Sequence, residues 1–227
     1  MKKRGKKYLE AKKLVENGKV YSLDEGLKIA KKTATTKFDG SLELHINLSL
    51  DPKLKQVIRG SVVLPHGTGK KMKIAVFTSP EKQKEAKAAG ADLVGGEELI
   101  KEIKQTQKTD FDVAVASPEM MKTLAQIAKI LGQRGLMPNP KNETINANPA
   151  KIVAELSKGK IAFKSDEQGN LHQMIGKVSF EEKKLLENLK VFLEAVKKSL
   201  PKEGKPVLIK SLTLASTMGP GIKVKIS

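Results

Sequence analysis

The sequence has no cysteine, no tryptophan, and only two tyrosines and six phenylalanines among 227 residues. Without cysteine there is no disulfide framework, no thiol chemistry and no thiolate ligand of the kind most structural zinc sites need, and a reducing compartment suits such a chain. With aromatics at 4% and no aromatic-rich strand, bases are not expected to stack on an aromatic sheet as they do on RRM domains. No apolar stretch approaches the ~20 residues of a membrane span, and the basic N-terminus leads into an amphipathic pattern rather than a hydrophobic run. The expectation is a soluble, unexported protein with no membrane partner. Acid is scarce relative to base, since 43 Lys and Arg against 25 Asp and Glu leave +18, with a pI near 9.8. That surplus implies a polyanion partner. Hydrophobic residues at 39% exclude disorder over the whole length.

Up to Lys19 the chain carries eight basic and two acidic side chains and reads as a basic arm or helix. Ser22 and Glu25 match a capping box, and Leu23, Leu27 and Ala30 follow at helical spacing, which predicts a helix to about Ala34. From Ser41 to Leu50 the alternation is strict: Leu42, Leu44, Ile46, Leu48 and Leu50 fall on one face, Ser41, Glu43, His45, Asn47 and Ser49 on the other. This predicts a strand with one wet face, and a second strand spans about Gln56 to Leu64. Beyond Met72 the runs KIAVFT and DVAVAS lack alternation, as strands buried on both faces of a parallel sheet do. Ser79-Pro80, Ser117-Pro118 and Asn148-Pro149 pair a capping side chain with proline at the first helical position. The segment Leu131 to Lys141 is too rich in Gly and Pro for regular structure. The middle therefore reads β-α-β-α-β-α. After Gly159 two half-wet strands return, and Ser179 with Glu182 suggests a second capping box. Leu185, Leu189, Phe192, Val196 and Leu200 then mark an amphipathic helix ended by Pro201. A strand from Val207 to Ser216, the turn STMGPG and a last strand IKVKI complete the chain.

Cut at Thr68 and Gly159, the chain holds +8 in residues 1–67, +4 in 68–158 and +6 in 159–227. Half-wet strands occur in both ends and not in the middle, so the ends are expected to pair into one α+β domain with the α/β segment inserted. The crossings PHGTGK and SKGK would lie side by side as a hinge.

Chemistry-bearing motifs are few. Gly67-Thr68-Gly69-Lys70 invites a phosphate-loop reading, but Leu64 stands where the signature needs glycine and Lys71 where it needs Ser or Thr. Gly95-Gly96 lacks dinucleotide spacing. His45, His66 and His172 are dispersed, with no metal-ligand pair among them. There is no serine elbow and no recognisable carboxylate pair, so no enzyme, metal or cofactor is expected. The turn Ser216 to Gly221 sets small hydroxyls beside two glycines, which permits close backbone approach to a ligand but suits an ordinary hairpin equally. The loop Thr36 to Gly40 carries an exposed candidate in Phe38.

The motifs KFDGS at Lys37, RGSVVLPHGTGK at Arg59, AGADLVGGEELI at Ala89, FDVAVASP at Phe111, LGQRGLMPNPK at Leu131, IGKVSF at Ile175 and STMGPG at Ser216 resemble, in that order, those of the bacterial ribosomal protein L-one family. The resemblance covers essentially the whole chain. It implies α/β and α+β architecture in two domains: residues 1–67 with 159–227 as a discontinuous split βαβ (ferredoxin/RRM-like) RNA-binding domain, and residues 68–158 as an inserted Rossmann-like domain. It further implies a cytoplasmic protein, monomeric outside the ribosome, that binds large-subunit rRNA at a mobile stalk and assists release of exit-site tRNA. Binding of its own operon mRNA, repressing translation, is implied as well. The family's RNA surface carries over to Lys37, Phe38, Ser41, Glu43, His172, Thr217, Met218 and Gly219. Two departures stand out: the loop Asp51 to Gln56 is shorter than the family pattern and lacks its Ser-Asp, and Gln133 replaces a common Pro. A non-specific basic protein of DNA or anionic membranes and a nucleotide-using α/β enzyme are the rival readings.

Overall fold

The computed structural model describes residues 5–16, 18–50, 57–140, 143–201 and 207–225. The chain gathers into two compact units, Met1–Gly69 with Ile161–Ser227, and Lys70–Lys160. In the first unit the elements are α1 (Lys6–Lys13), α2 (Leu23–Lys32), β1 (Ser41–Leu48) and β2 (Arg59–Val63). The second contains β3 (Ile74–Phe77), α3 (Pro80–Ala88), β4 (Leu93–Gly95), α4 (Glu97–Thr106), β5 (Val113–Ala116), α5 (Met121–Leu124), α6 (Ala128–Gln133) and α7 (Pro149–Ser157). The chain then returns through β6 (Lys160–Lys164), β7 (Asn170–Lys177), α8 (Glu182–Ser199), β8 (Ile209–Ser216) and β9 (Ile222–Val224).

The main sheet of the first unit has the order β7-β1-β8-β9. Strand β1 is antiparallel to both β7 and β8, so those two run parallel, with α8 crossing between them as a split β-α-β. The alternation of β1 does what its period dictates: Leu42, Leu44, Ile46 and Leu48 are all buried. Leu27 and Ala30 of α2 and Leu185, Leu189, Phe192 and Val196 of α8 close over that face. Phe192 meets Phe163 edge to face at 5.4 Å, and burying a side chain of that size contributes about 1.5–3 kcal/mol. Helix α2 lies directly on β9, because a Cβ on Gly26 would stand 2.4 Å from Val224 Cγ1. The strand stops at Leu48, short of Leu50, and the second predicted strand is shorter than expected, pairing with β6 in a separate sheet. The loop Asp51 to Gln56 lies outside the described residues.

In the second unit β3 pairs in parallel with β4 and β5 in the order β4-β3-β5. Its unalternating runs reflect burial on both faces. Ala75, Phe77, Ala114 and Ala116 meet Ile100 and Ile103 of α4 together with Leu124, Ile127 and Leu131. Ile74, Val76 and Val115 meet Ala86 of α3 and Ile152 and Val153 of α7. Leu131 to Gln133 form the last turn of α6, although Gly and Pro content argued against regular structure there.

Helix ends separate the capping signals that act from those that do not. The Ser22 box forms, with Glu25 N donating to Ser22 Oγ and Ser22 N to Glu25 Oε2, each at 3.3 Å. Helix α2 ends at Lys32 rather than Ala34, and the Thr33 hydroxyl donates to Ala30 O at 3.0 Å. Asn148 caps α7 by accepting from Lys151 N. Ser79 and Ser117 precede their prolines as predicted, but neither hydroxyl caps a helix. Ser117 opens only a short 3-10 turn, Pro118–Met120, and its buried hydroxyl has no hydrogen-bond partner among the described residues. The Ser179–Glu182 box is absent: α8 begins at Glu182 after Glu181, because Ser179 donates instead from N and Oγ to the Asp39 carboxylate at 3.0 and 2.7 Å. A charged acceptor makes the stronger bond and orients the hydroxyl away from the helix.

Candidate nucleic-acid interface

The odd-numbered side chains of β1 face away from the helices, and the register aligns their neighbours into rows across the sheet. Met174, Glu43 and Ala215 form one row; His172, His45, Thr213 and Lys223 the next; Asn170, Asn47 and Ser211 the third. The open face offers amides, hydroxyls and imidazoles, and its only rings are the two histidines. It is built to hydrogen-bond rather than to stack.

Dispersed in sequence, His45 and His172 come together here. Their Nδ1 atoms stand 2.8 Å apart with ring centroids at 5.0 Å, so one ring donates and the other accepts, a bond that two protonated rings cannot make. Burial, and then the charge of His172, push the His45 pKa below its ordinary value against a smaller opposing pull from Glu43. The unfolded chain therefore binds this proton first. The associated stability is fully present above about pH 6.5 and is lost as the pH falls through the folded pKa. In denaturant titrations between pH 7.5 and 5, His45→Gln should show a flatter pH dependence than wild type. Parallel curves would remove this pair from the acid response.

Beyond the rows, at the N-terminal end of β1, two loops are stitched together. Thr217 Oγ1 accepts from Ser41 N at 2.9 Å and donates to Ser41 O at 3.2 Å, while Thr217 N donates to the same oxygen at 3.0 Å. The hydroxyl that the sequence offers to a ligand is thus committed to holding the turn against β1. On the other side, Val178 N donates to Gly40 O at 2.9 Å and the Asp39 carboxylate holds Ser179. Clamped from both sides, the loop leaves Lys37 exposed and Phe38 64% exposed. Met218 is 75% exposed at φ 62°, a left-handed conformation costing roughly 1–2 kcal/mol for a residue with a Cβ. The neighbouring bond from Gly219 N to Ser216 O at 2.8 Å closes this turn. Gly219 has no room for a side chain, since a Cβ would lie 2.3 Å from Ser216 Oγ and 3.3 Å from Thr33 O.

Lys37, Phe38, Ser41, Thr217, Met218 and Gly219 therefore share one end of the sheet, with Glu43 and His172 on the open face that continues from it. Sequence reasoning passed over His45, Asn47, Asn170 and Thr213. The wet alternation of β1 signalled the first two, but the register that adds the others is not written in any local pattern. Among the described residues no three His, Asp or Glu side chains converge as metal ligands, and no helix is long and apolar enough to cross a membrane. In the Gly67 segment, His66 N donates to Asn188 Oδ1 and Gly67 O accepts from Asn188 Nδ2, which ties this turn to α8.

The chain matches the model of the Ribosomal protein L1p/L10e family over residues 30–220. It is 51% identical over 226 residues to the large ribosomal subunit protein uL1 of Mycoplasma capricolum subsp. capricolum, covering 99% of this chain and 100% of that one. To the protein of the same name in Mesoplasma florum it is 50% identical over 228 residues, covering 100% of both. The matched region runs from α2 into the turn after Met218 and takes in the stitched loop residues, the three rows of the open face apart from Lys223, and the whole second unit; the chain belongs to the ribosomal protein L1p/L10e family.

Proposed function

We propose that this chain is a structural component of the large ribosomal subunit that holds large-subunit rRNA at the stitched loops and open sheet face. The observation that carries the reading is the gathering of Lys37, Phe38, Ser41, Thr217, Met218 and Gly219, far apart in sequence, at one sheet end beside a face of hydrogen-bonding groups. A-form RNA exposes 2′-hydroxyls and base edges in a wide, shallow minor groove. Short polar side chains and a closely approaching backbone turn reach such a surface, and Phe38 and Met218 give it apolar contacts. Glu43 repels phosphate but accepts a hydrogen bond from a 2′-hydroxyl or an exocyclic amine. Extending the family resemblance, the bound rRNA belongs to a mobile stalk beside exit-site tRNA. There the protein assists release of deacylated tRNA, and a similar element in its own operon mRNA lets it repress translation.

Gel shifts on rRNA fragments test this reading. The full chain should keep a stem-loop rRNA fragment against excess duplex DNA, and affinity should fall with salt, but less steeply than a charge of +18 engaging phosphates throughout would give. Lys37→Ala should weaken all RNAs alike and lower the salt slope by about one. Equal affinity for duplex DNA and the rRNA fragment would sink the proposal.

A further inference from the structure

Helix α1 has lysine at four of its eight positions and no acid in its first turn. Its N-terminal end borders a largely apolar, open groove of about 410 Å³, lined by Gly5, Lys7, Tyr8, Thr35, Thr36 and Met218. Three separate chain segments meet there: α1, the loop between α2 and β1, and the turn between β8 and β9. Met218 belongs both to the groove and to the exposed turn beside β1, so the groove continues the proposed RNA surface.

The lining has a specific chemistry. Tyr8 contributes the flat face of a ring, and Met218 a polarizable thioether that favours contact with aromatic systems. The Thr36 hydroxyl is already given to Phe38 O at 2.9 Å, whereas that of Thr35 has no hydrogen-bond partner among the described residues. Lys7 forms no ion pair among them either. A largely apolar groove whose lining also supplies an aromatic ring, a hydroxyl and a cation matches an unpaired nucleotide: ring face on Tyr8, base edge at Thr35, phosphate at Lys7. A paired base cannot occupy it, because duplex RNA shows only base edges.

We propose that this groove takes a single unpaired nucleobase of the RNA held at the adjoining loops, an inference that rests on the rRNA reading above. The groove then adds a stacking contact at the edge of an interface whose sheet face is built mainly to hydrogen-bond.

The test uses the full chain and a stem-loop rRNA fragment with an internal loop, made abasic at each unpaired position in turn, with affinity read by gel shift at fixed salt. Tyr8→Ala should bind the intact fragment about tenfold more weakly, within the range of one base–aromatic contact, and Tyr8→Phe should bind as wild type. One abasic position should weaken wild type about tenfold and leave Tyr8→Ala no weaker than it already is. Losses from Tyr8→Ala that add to those of every abasic position overturn the groove assignment, as does wild-type affinity in Tyr8→Ala. Should Tyr8→Ala lower the unfolding midpoint, Thr35→Val carries the comparison, with a loss expected on the intact fragment and none on the fragment abasic at the same position. A wild-type chain that does not prefer the rRNA fragment to duplex DNA defeats the underlying reading; a preference that survives with no abasic position coupled to Tyr8 or Thr35 defeats the groove alone.

Discussion

Thr217→Val should weaken rRNA binding by about tenfold or more, roughly 1–3 kcal/mol, and should also lower the unfolding free energy by a similar amount. Both effects follow from one atom. The hydroxyl accepts from Ser41 N and donates to Ser41 O, and valine, of nearly the same shape, leaves the Ser41 N–H without its acceptor. Only the second effect would be expected of an ordinary turn. With only the backbone bond from Thr217 N to Ser41 O left to tie it to Ser41, the turn holds Met218 and Gly219 less firmly in register with Phe38, so affinity falls even where the protein remains folded. Thr217→Ser, which keeps the oxygen, should recover most of both. The salt slope should not change, because no phosphate-neutralising charge is removed. Normal RNA affinity in a folded Thr217→Val protein would return the turn to a purely structural role.

Asn188→Leu should destabilise the first unit by about 3 kcal/mol or more. Asn188 sits on the buried face of α8 with no solvent exposure. Its Oδ1 accepts from His66 N at 3.1 Å, and its Nδ2 donates to Gly67 O and Ile175 O, each at 2.9 Å. One amide thus serves three backbone groups, from the turn after Leu64 and from β7. Leucine fills the space but satisfies none of them. Equilibrium denaturation should show an earlier midpoint than wild type; an unchanged midpoint would mean that water enters and replaces the amide.

These two residues also mark where the sequence stops being legible. The alternation of Ser41 to Leu48, the two-faced burial of Ile74–Phe77 and Val113–Ala116, and the leucine spacing of α8 could be read because period and burial are properties of neighbouring residues. Asn188 could not, since its partners lie more than a hundred positions away for the turn and thirteen for β7. Ser179 misled for the same reason: its capping pattern is sound locally, but Asp39, 140 positions distant, offers a better acceptor. The histidines appeared dispersed because register, which sets His45 against His172, is fixed by which strands pair. The loops at Phe38 and Met218 were singled out through family resemblance; turn chemistry alone pointed equally to a plain hairpin. What locks them together, the Thr217 hydroxyl on Ser41, is a tertiary bond.

The position of β1 in its sheet has a consequence for the order of events during synthesis. Both its neighbours are made later: β1 ends at Leu48, β7 begins at Asn170 and β8 ends at Ser216. At ordinary elongation rates β1 waits on the order of ten seconds for its first partner, while the contiguous segment Lys70–Lys160, whose strands pair with near neighbours, can finish folding. A strand with four buried-type residues on one face and unpaired edges on both sides is meanwhile open to wrong partners. Binding by a holdase chaperone should therefore concentrate on chains in which β1 is exposed and β7 and β8 are not yet available to it, and subside once β8 can pair.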